Sequence, residues 1–223
     1  MSERAPLPIV VLISGRGSNL QALLDASAVD AAPFAVRAVI SNRPGVAGLE
    51  RARRAGVPAE VVDHRTLRAP GAFDAALRAA IERYRPGLVA LAGFMRILGP
   101  AFVGRYHGRI LNIHPSLLPE FRGLDTHRRA LQAGVSEHGA SVHFVTEELD
   151  GGPIVVQARV PVLPDDGPET LAARVLEQEH RIYPLAVRWF AEGRLRLEPD
   201  GAWLDGRRLD RPLTVHPDAE VPA

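Results

Sequence analysis

The chain contains no cysteine. Disulfides, a thiolate nucleophile and cysteine-ligated zinc or iron–sulfur clusters are thereby excluded. Lysine is missing as well, because every one of the 27 basic residues is arginine. A P-loop lysine, a Schiff-base lysine and a Ser–Lys dyad are therefore ruled out. We read the arginine bias as genome composition and give it no functional weight. Excess charge is also lacking: 27 basic against 26 acidic residues leave a net +1, which gives no reason to expect a polyanion or an anionic membrane as partner. Long apolar runs are absent too. Met1-Ser2-Glu3-Arg4 is followed by Pro6 and Pro8 and then by only five apolar residues, Ile9 to Ile13. A signal-peptide core is longer, and a membrane helix needs about 20 apolar residues. The expected compartment is the cytoplasm.

What is present is an ordinary globular composition, 46% hydrophobic and 24% charged over 223 residues. A chain of this length buries roughly 70% of its unfolded surface, so it folds without staples, and disorder as its main state is excluded. Strands and helices alternate through the first half. Ile9–Ile13 reads as a buried strand, broken by Gly15 and Gly17, after which Leu20, Leu23 and Leu24 recur at helical spacing. Val36–Ile40, Glu60–Asp63 and Leu88–Ala92 read as strands, and Val46–Ala55 and Phe73–Tyr84 as helices. Such alternation predicts βαβ units, right-handed crossovers and a parallel sheet. In the second half, Arg109–Ile113, Ser141–Val145 and Ile154–Val160 read as strands and Thr126–Ala133 as a helix closed by Gly134. Glu169–Phe190 is a long helical pattern that Pro184 is expected to kink or end. Leu195–Leu209 reads as a hairpin around Pro199-Asp200-Gly201, and the Pro-rich last residues as a frayed end. With no repeat, low-complexity tract or linker, residues 1–223 read as one domain, with halves over about 9–105 and about 106–209.

Three stretches are candidates for chemistry. Ser14-Gly15-Arg16-Gly17-Ser18-Asn19 joins a strand to a helix. Glycines admit a ligand close to the backbone, and a helix N-terminus offers free N–H groups to an anion. Leu20 stands where the dinucleotide fingerprint needs its third glycine, and Ile40-Ser41-Asn42 supplies no acid at the ribose position, so a monophosphate is favoured over NAD. The competing reading is a tight βα turn capped by Ser18 or Asn19. Asn112 and His114 lie two apart on a strand and so point the same way. An amide donor and a proton donor aimed at one point suit an oxyanion. The plain alternative is a core histidine beside a turn asparagine. Ser116 lacks any G-x-S-x-G context and is set aside as a nucleophile. Asp150, between two strands, is placed where a carboxylate reaches a neighbouring histidine and favours its imidazolium, or else it is an ordinary Asp-Gly turn. Metal sites are not expected: among the eight histidines, His138 and His143 are five apart and no H-E-x-x-H occurs. Arg53-Arg54 and Arg128-Arg129 read as solvated helix faces rather than a nucleic-acid footprint.

Taken together these pieces resemble the phosphoribosylglycinamide formyltransferase (glycinamide ribonucleotide transformylase) family. The resemblance is carried by residues 9–22, by Leu91–Leu98, Leu111–Pro119, His138–Val145 and Glu148–Pro153, and by Gln178–Pro184 and Trp203–Gly206, in order from about 9 to 209. It implies an α/β, Rossmann-like formyltransferase fold, with a mostly parallel central sheet, helices on both faces and a small C-terminal hairpin. It implies formyl transfer from 10-formyltetrahydrofolate, as cosubstrate, to the amine of glycinamide ribonucleotide, without a metal. Residue by residue, Asn112, His114 and Asp150 would be catalytic. Gly17, Ser18 and Asn19 would hold the ribonucleotide phosphate, with Gln178 and Glu179 on its ribose side. Met95, Arg96, Ile97 and Leu98, together with Asn112 and with Thr146, Glu147, Glu148, Leu149 and Asp150, would line the folate pocket. Pro70 stands where the family often has a basic side chain near the folate tail, and Arg68 is the candidate substitute.

Small-molecule substrates, no nucleic acid, no membrane and a monomer or homodimer are the expected associations. Three rivals were weighed. A formyltetrahydrofolate deformylase would add an N-terminal regulatory domain ahead of Ile9. A methionyl-tRNA formyltransferase would add a C-terminal domain and differ at Gly123–His127. A non-catalytic nucleotide-binding module would leave Asn112, His114 and Asp150 without a role.

Overall fold

The computed structural model describes residues 5–216. Met1–Arg4 and the Pro-rich end expected to fray, from Pro217 onward, lie outside the described residues. The chain divides into two compact units, Met1–Leu111 and Asn112–Ala223.

The first unit is built of βα steps. Its elements are β1 (Leu7–Ile13), α1 (Ser18–Ser27), β2 (Phe34–Ser41), α2 (Ala47–Arg54), β3 (Ala59–Val61), α3 (Ala72–Glu82), β4 (Leu88–Leu91) and α4 (Pro100–Arg105). The strand order is β4-β1-β2-β3, and each pair is parallel. Ile9 to Ile13 are all fully buried. Successive side chains on a strand point to opposite faces, so burial of five in a row means both faces of β1 are covered, as a parallel strand requires. Each such side chain contributes about 1.5–3 kcal/mol of transfer free energy. α1 buries Leu20, Leu23 and Leu24, as the spacing predicts. β3 is shorter than expected, ending before Val62. α4 was not anticipated: six residues with two buried positions, Phe102 and Val103, carry too little periodicity to read.

The second unit contains α5 (Thr126–Ala133), β6 (Glu137–Phe144), β7 (Ile154–Pro161), α6 (Pro168–Ala191), β8 (Leu195–Glu198), β9 (Gly201–Leu204), β10 (Arg207–Arg208) and β11 (Leu213–Val215); β5 (Ile110–His114) leads into it. The strand order is β11-β7-β6-β5. β6 and β7 are antiparallel, whereas β11 runs parallel to β7. The fold is therefore α/β and mostly parallel. α6 packs on β6 and β7. Pro184 does not end this helix, which runs unbroken for 24 residues. Proline removes one backbone bond, but Ile182, Tyr183, Leu185, Ala186, Val187 and Trp189 are all buried around it, and their burial outweighs that loss. The expected hairpin is a three-stranded antiparallel sheet, β10-β9-β8, because the chain turns a second time at Asp205-Gly206, both at positive φ. Among the described residues, no helix is long and apolar enough to cross a membrane.

Candidate active site

In the first unit, the glycine loop leaves β1 and enters α1. Gly17, at φ +73°, is the residue before the helix, and no side chain caps this end. A Cβ on Gly17 would lie 2.7 Å from the Gly48 Cα, so the loop packs backbone to backbone on the start of α2. The Gly48 N–H donates to the Gly15 carbonyl (3.1 Å). Arg51 donates from Nε to the Arg16 carbonyl (2.9 Å) and from Nη1 to Gln21 Oε1 (3.2 Å). The loop is thus braced from the α2 side, and Ser18 and Asn19 form the first turn of α1. Such an end combines backbone donors with the positive pole of the helix, both of which favour an anion.

Met95 to Leu98 lie between β4 and α4. Met95 and Ile97 are 63% and 73% exposed, while Leu98 is buried. Arg96 sits over the Phe73 ring at 5.2 Å. Arg68 is exposed and its Nε donates to the Arg65 carbonyl (3.2 Å).

In the second unit, Asn112, His114 and Asp150 converge. Asp150 Oδ2 is 3.5 Å from His114 Nδ1, and both side chains are more than nine-tenths buried. The Gly123 N–H donates to the same oxygen (2.9 Å). His114 Nε2 faces the Phe121 carbonyl at 3.1 Å. Each ring nitrogen of His114 therefore faces an oxygen. Asp150 takes a left-handed conformation (φ +48°), which aspartate tolerates, so it is a turn residue and a buried carboxylate at once. The close crossing behind it needs Gly152, where a Cβ would lie 1.9 Å from the Phe144 carbonyl oxygen.

A fourth residue joins the group. His143, on β6, is 3.1 Å from the Asn112 amide nitrogen through Nε2 and 3.8 Å from Asp150 Oδ1. Its Nδ1 faces the Phe144 carbonyl at 2.9 Å. These contacts assign the tautomer: Nδ1–H donates to the carbonyl, and Nε2 accepts from Asn112. Burial pushes the His143 pKa down to about 4, against the opposing pull of the Phe144 carbonyl and the Asp150 charge. Neutral His143 thus turns the Asn112 amide so that its nitrogen is the donor, with a second N–H beyond the one given to His143. Sequence reasoning missed this residue by weighing His143 only as a metal ligand. The usable signal was Ser141 and His143, two apart in the otherwise apolar Ala140–Phe144.

The loop after His114 is held from the same strands. Ser141 Oγ donates to the Ser116 carbonyl (2.6 Å) and accepts from the Leu118 N–H (3.0 Å) and Gln157 Nε2 (2.9 Å). Gln157 Nε2 also donates to the Leu118 carbonyl (2.8 Å). Ser116 Oγ donates to the Glu120 carbonyl (2.6 Å), so this hydroxyl closes the loop. Beside the loop, the buried His138 ring stands edge-on to Phe121 and His127 (centroids 5.8 and 5.3 Å), and burial lowers its pKa to about 4.

Of the segment Thr146–Asp150, Glu147, Glu148 and Leu149 are exposed, and Glu148 pairs with Arg122. Gln178 and Glu179 are buried on α6, where Gln178 Oε1 accepts from Arg181 (2.7 Å). Among the described residues, no group of three or more histidine, cysteine or acidic side chains has metal-holding geometry.

The family model described as "Formyl transferase" matches residues 7–187. The phosphoribosylglycinamide formyltransferase of Escherichia coli (strain K12) is 56% identical over 201 residues, 90% of this chain and 95% of that protein. The trifunctional purine biosynthetic protein adenosine-3 of Homo sapiens is 44% identical over 199 residues, 89% of this chain and 20% of that larger protein. Among solved structures, the Coxiella burnetii phosphoribosylglycinamide formyltransferase, in complex with CHES, matches with a TM-score of 0.89 at 50% identity, covering 93% of this chain and 99% of that one.

Proposed function

This chain belongs to the formyl transferase family, and from that premise we propose that it transfers the formyl group of 10-formyltetrahydrofolate to the amine of glycinamide ribonucleotide. The observation that carries the reading is the buried His114–Asp150 pair beside Asn112. It supplies what formyl transfer needs: an amide donor and a positive charge for an oxyanion, and a route for one proton. The relatives named phosphoribosylglycinamide formyltransferase favour this acceptor over water or tRNA.

The chemistry is acyl transfer without a covalent enzyme intermediate. The amine nitrogen of the ribonucleotide attacks the formyl carbon, a C–N bond forms, and negative charge develops on the formyl oxygen. Asn112 donates its remaining N–H to that oxygen, and a His114 imidazolium beside it, held by Asp150, lends positive charge; among buried side chains such groups act strongly. Asp150 holds the imidazolium and, through water, carries the amine proton toward N10 as the bond from formyl carbon to N10 breaks. Tetrahydrofolate and the formylated ribonucleotide leave. Neutral His143 keeps Asn112 in its donor orientation.

Gly17, Ser18 and Asn19 hold the ribonucleotide phosphate, a role supported by the uncapped, braced start of α1. Gln178 and Glu179 serve its ribose side. Within the first unit the exposed Met95 and Ile97, with Arg96 and Leu98, are the proposed folate contacts, and within the second unit Thr146 to Asp150 are. The absence of cysteine and lysine is no obstacle, because neither enters this mechanism.

The test incubates the protein with 10-formyltetrahydrofolate and, separately, water, glycinamide ribonucleotide or methionyl-tRNA. Formylation of the ribonucleotide alone is expected. Folate hydrolysis at the same rate with and without ribonucleotide, or formylation of the tRNA, would overturn the reading.

A further inference from the structure

The segment between β4 and α4 has an uncommon combination of properties. It lacks regular structure and presents two large apolar side chains to solvent, Met95 and Ile97. Yet both of its ends are tied to side chains of other elements. At the start, the Met95 N–H donates to Ser14 Oγ (2.7 Å). Ser14 closes β1, is 4% exposed, and donates its own proton to Asn42 Oδ1 (2.6 Å). Asn42 follows β2, is fully buried, and accepts at its carbonyl from His64 Nδ1 (2.8 Å). At the far end, the Gly99 N–H donates to Asp74 Oδ2 in the first turn of α3 (2.8 Å). Between the ties, Phe94 stacks on Phe73 (centroids 6.5 Å) and Arg96 covers that same ring.

Backbone N–H groups in an exposed loop are ordinarily left to water. Here two of them, at either end of five residues, are taken by side chains of other elements. Met95's amide has a partner only if the Ser14 hydroxyl turns its lone pair outward, and Asn42 fixes that rotation by taking the hydroxyl proton.

We propose that Ser14, oriented by Asn42, and Asp74 are positioning residues that clamp Phe94–Leu98 in the shape that receives the folate. The inference rests on the reading above that this segment contacts the folate. The clamp holds the backbone before the ligand arrives, so ordering the loop costs nothing at binding, which is how preorganisation raises affinity. Its loss therefore weakens folate binding selectively, leaving the ribonucleotide and the chemical step alone.

The test is steady-state kinetics with both substrates varied, on variants whose thermal unfolding is recorded alongside. Ser14→Ala removes the acceptor of the Met95 N–H and is expected to raise KM for 10-formyltetrahydrofolate about ten-fold, with kcat and the ribonucleotide KM within about two-fold of wild type. Asn42→Ala acts through the same hydroxyl, so Ser14→Ala/Asn42→Ala should be no worse for folate than Ser14→Ala. Asp74→Ala should raise the folate KM, and Asp74→Asn, which keeps an acceptor oxygen, should restore it. The Asp74 pair decides the matter if Ser14→Ala does not fold. An unchanged folate KM in both Ser14→Ala and Asp74→Ala, or an equal rise for both substrates, overturns the clamp. Ile97→Ser separates the two layers of the argument. If it leaves folate affinity unchanged, the folate role of the segment falls, and the clamp with it. If it weakens folate binding while Ser14→Ala does not, only the clamp falls.

Discussion

Acidification should destabilise this protein well above the range where carboxylates titrate. The cause is His143, whose side chain is 3% exposed and whose pKa burial lowers from 6.5 to about 4. In the unfolded chain the same imidazole takes up a proton below pH 6.5. The unfolded state therefore binds more protons than the folded state throughout the interval, and stability rises with pH across it. It is fully present above about pH 6.5, declines as pH falls, and is lost in full once pH passes below 4. At about 1.36 kcal/mol per unit, the shift amounts to on the order of 3 kcal/mol, most of it gone by pH 4.5. His138, lowered to about 4, acts with the same sign over the same window, and His127, lowered by burial, acts with the same sign below pH 6.5. For a domain of typical stability, ~5–15 kcal/mol, this is a large fraction. The carboxylates work lower. Arg65 beside Asp63 holds its pKa at about 2 and Arg174 holds Asp166 lower still, so their contributions fade only below the ordinary carboxylate value of 3.8. The assay is urea unfolding followed by circular dichroism at half-unit steps from pH 7.5 to 4.5. With a slope of about 2–3 kcal/mol per molar, the midpoint should fall by roughly 1 M. His143→Gln should be less stable at pH 7 and show a shallower dependence. A wild-type midpoint constant to about 0.2 M between pH 7 and 4.5 would refute the reasoning, because no neutral buried imidazole behaves that way.

Three further outcomes follow from the site. Asn112→Ala removes an oxyanion donor and should lower kcat ~10²–10³-fold with little change in substrate binding; retention of more than about a third of wild-type kcat removes Asn112 from the mechanism. Asp150→Asn keeps the turn but deletes the charge, and kcat should fall at least ~10²-fold. Combined with His114→Ala, it should lose far less than the product of the single losses, whereas multiplicative losses across the kcat–pH profile would defeat the pair. Gly17→Val meets both the left-handed backbone and the Gly48 Cα at 2.7 Å, so it should raise the ribonucleotide KM far more than the folate KM; an equal rise counts against the phosphate role.

What was legible in the sequence was whatever repeated. The alternation of Ile9–Ile13, Leu20-Leu23-Leu24 and Val36–Ile40 predicts β1, α1 and β2 to within a few residues because burial on both faces of a sheet writes itself as continuous apolar runs. β11 escaped notice because three residues flanked by Pro212 and Pro217 offer no period, and their partner β7 is more than 50 residues away. Pro184 did not end α6, because local propensity carries no knowledge of the buried neighbours that carry the helix on past it. The site followed the same division. Asn112 and His114, two apart on one strand, share a face by spacing alone. That His143 completes the group depends on β6 lying beside β5 and on a ring buried with a carbonyl at one nitrogen and an amide at the other. No spacing within one segment encodes that.

The central place of β1 has a consequence for the newly made chain. β1 pairs with β2 on one edge and with β4 on the other. β2 leaves the ribosome soon after it, but β4 begins roughly 75 residues downstream of Ile13, which at about 5–20 residues per second is a delay of some 4–15 s. Throughout that interval Leu7–Ile13, seven residues of which the last five are apolar and free of charge, offers an open row of amides and carbonyls. The nascent strand is then competent to pair with another chain's exposed edge. Slowing synthesis between Ser41 and Leu88 lengthens that exposure, and a chaperone binding apolar extended segments would find a client sequence there.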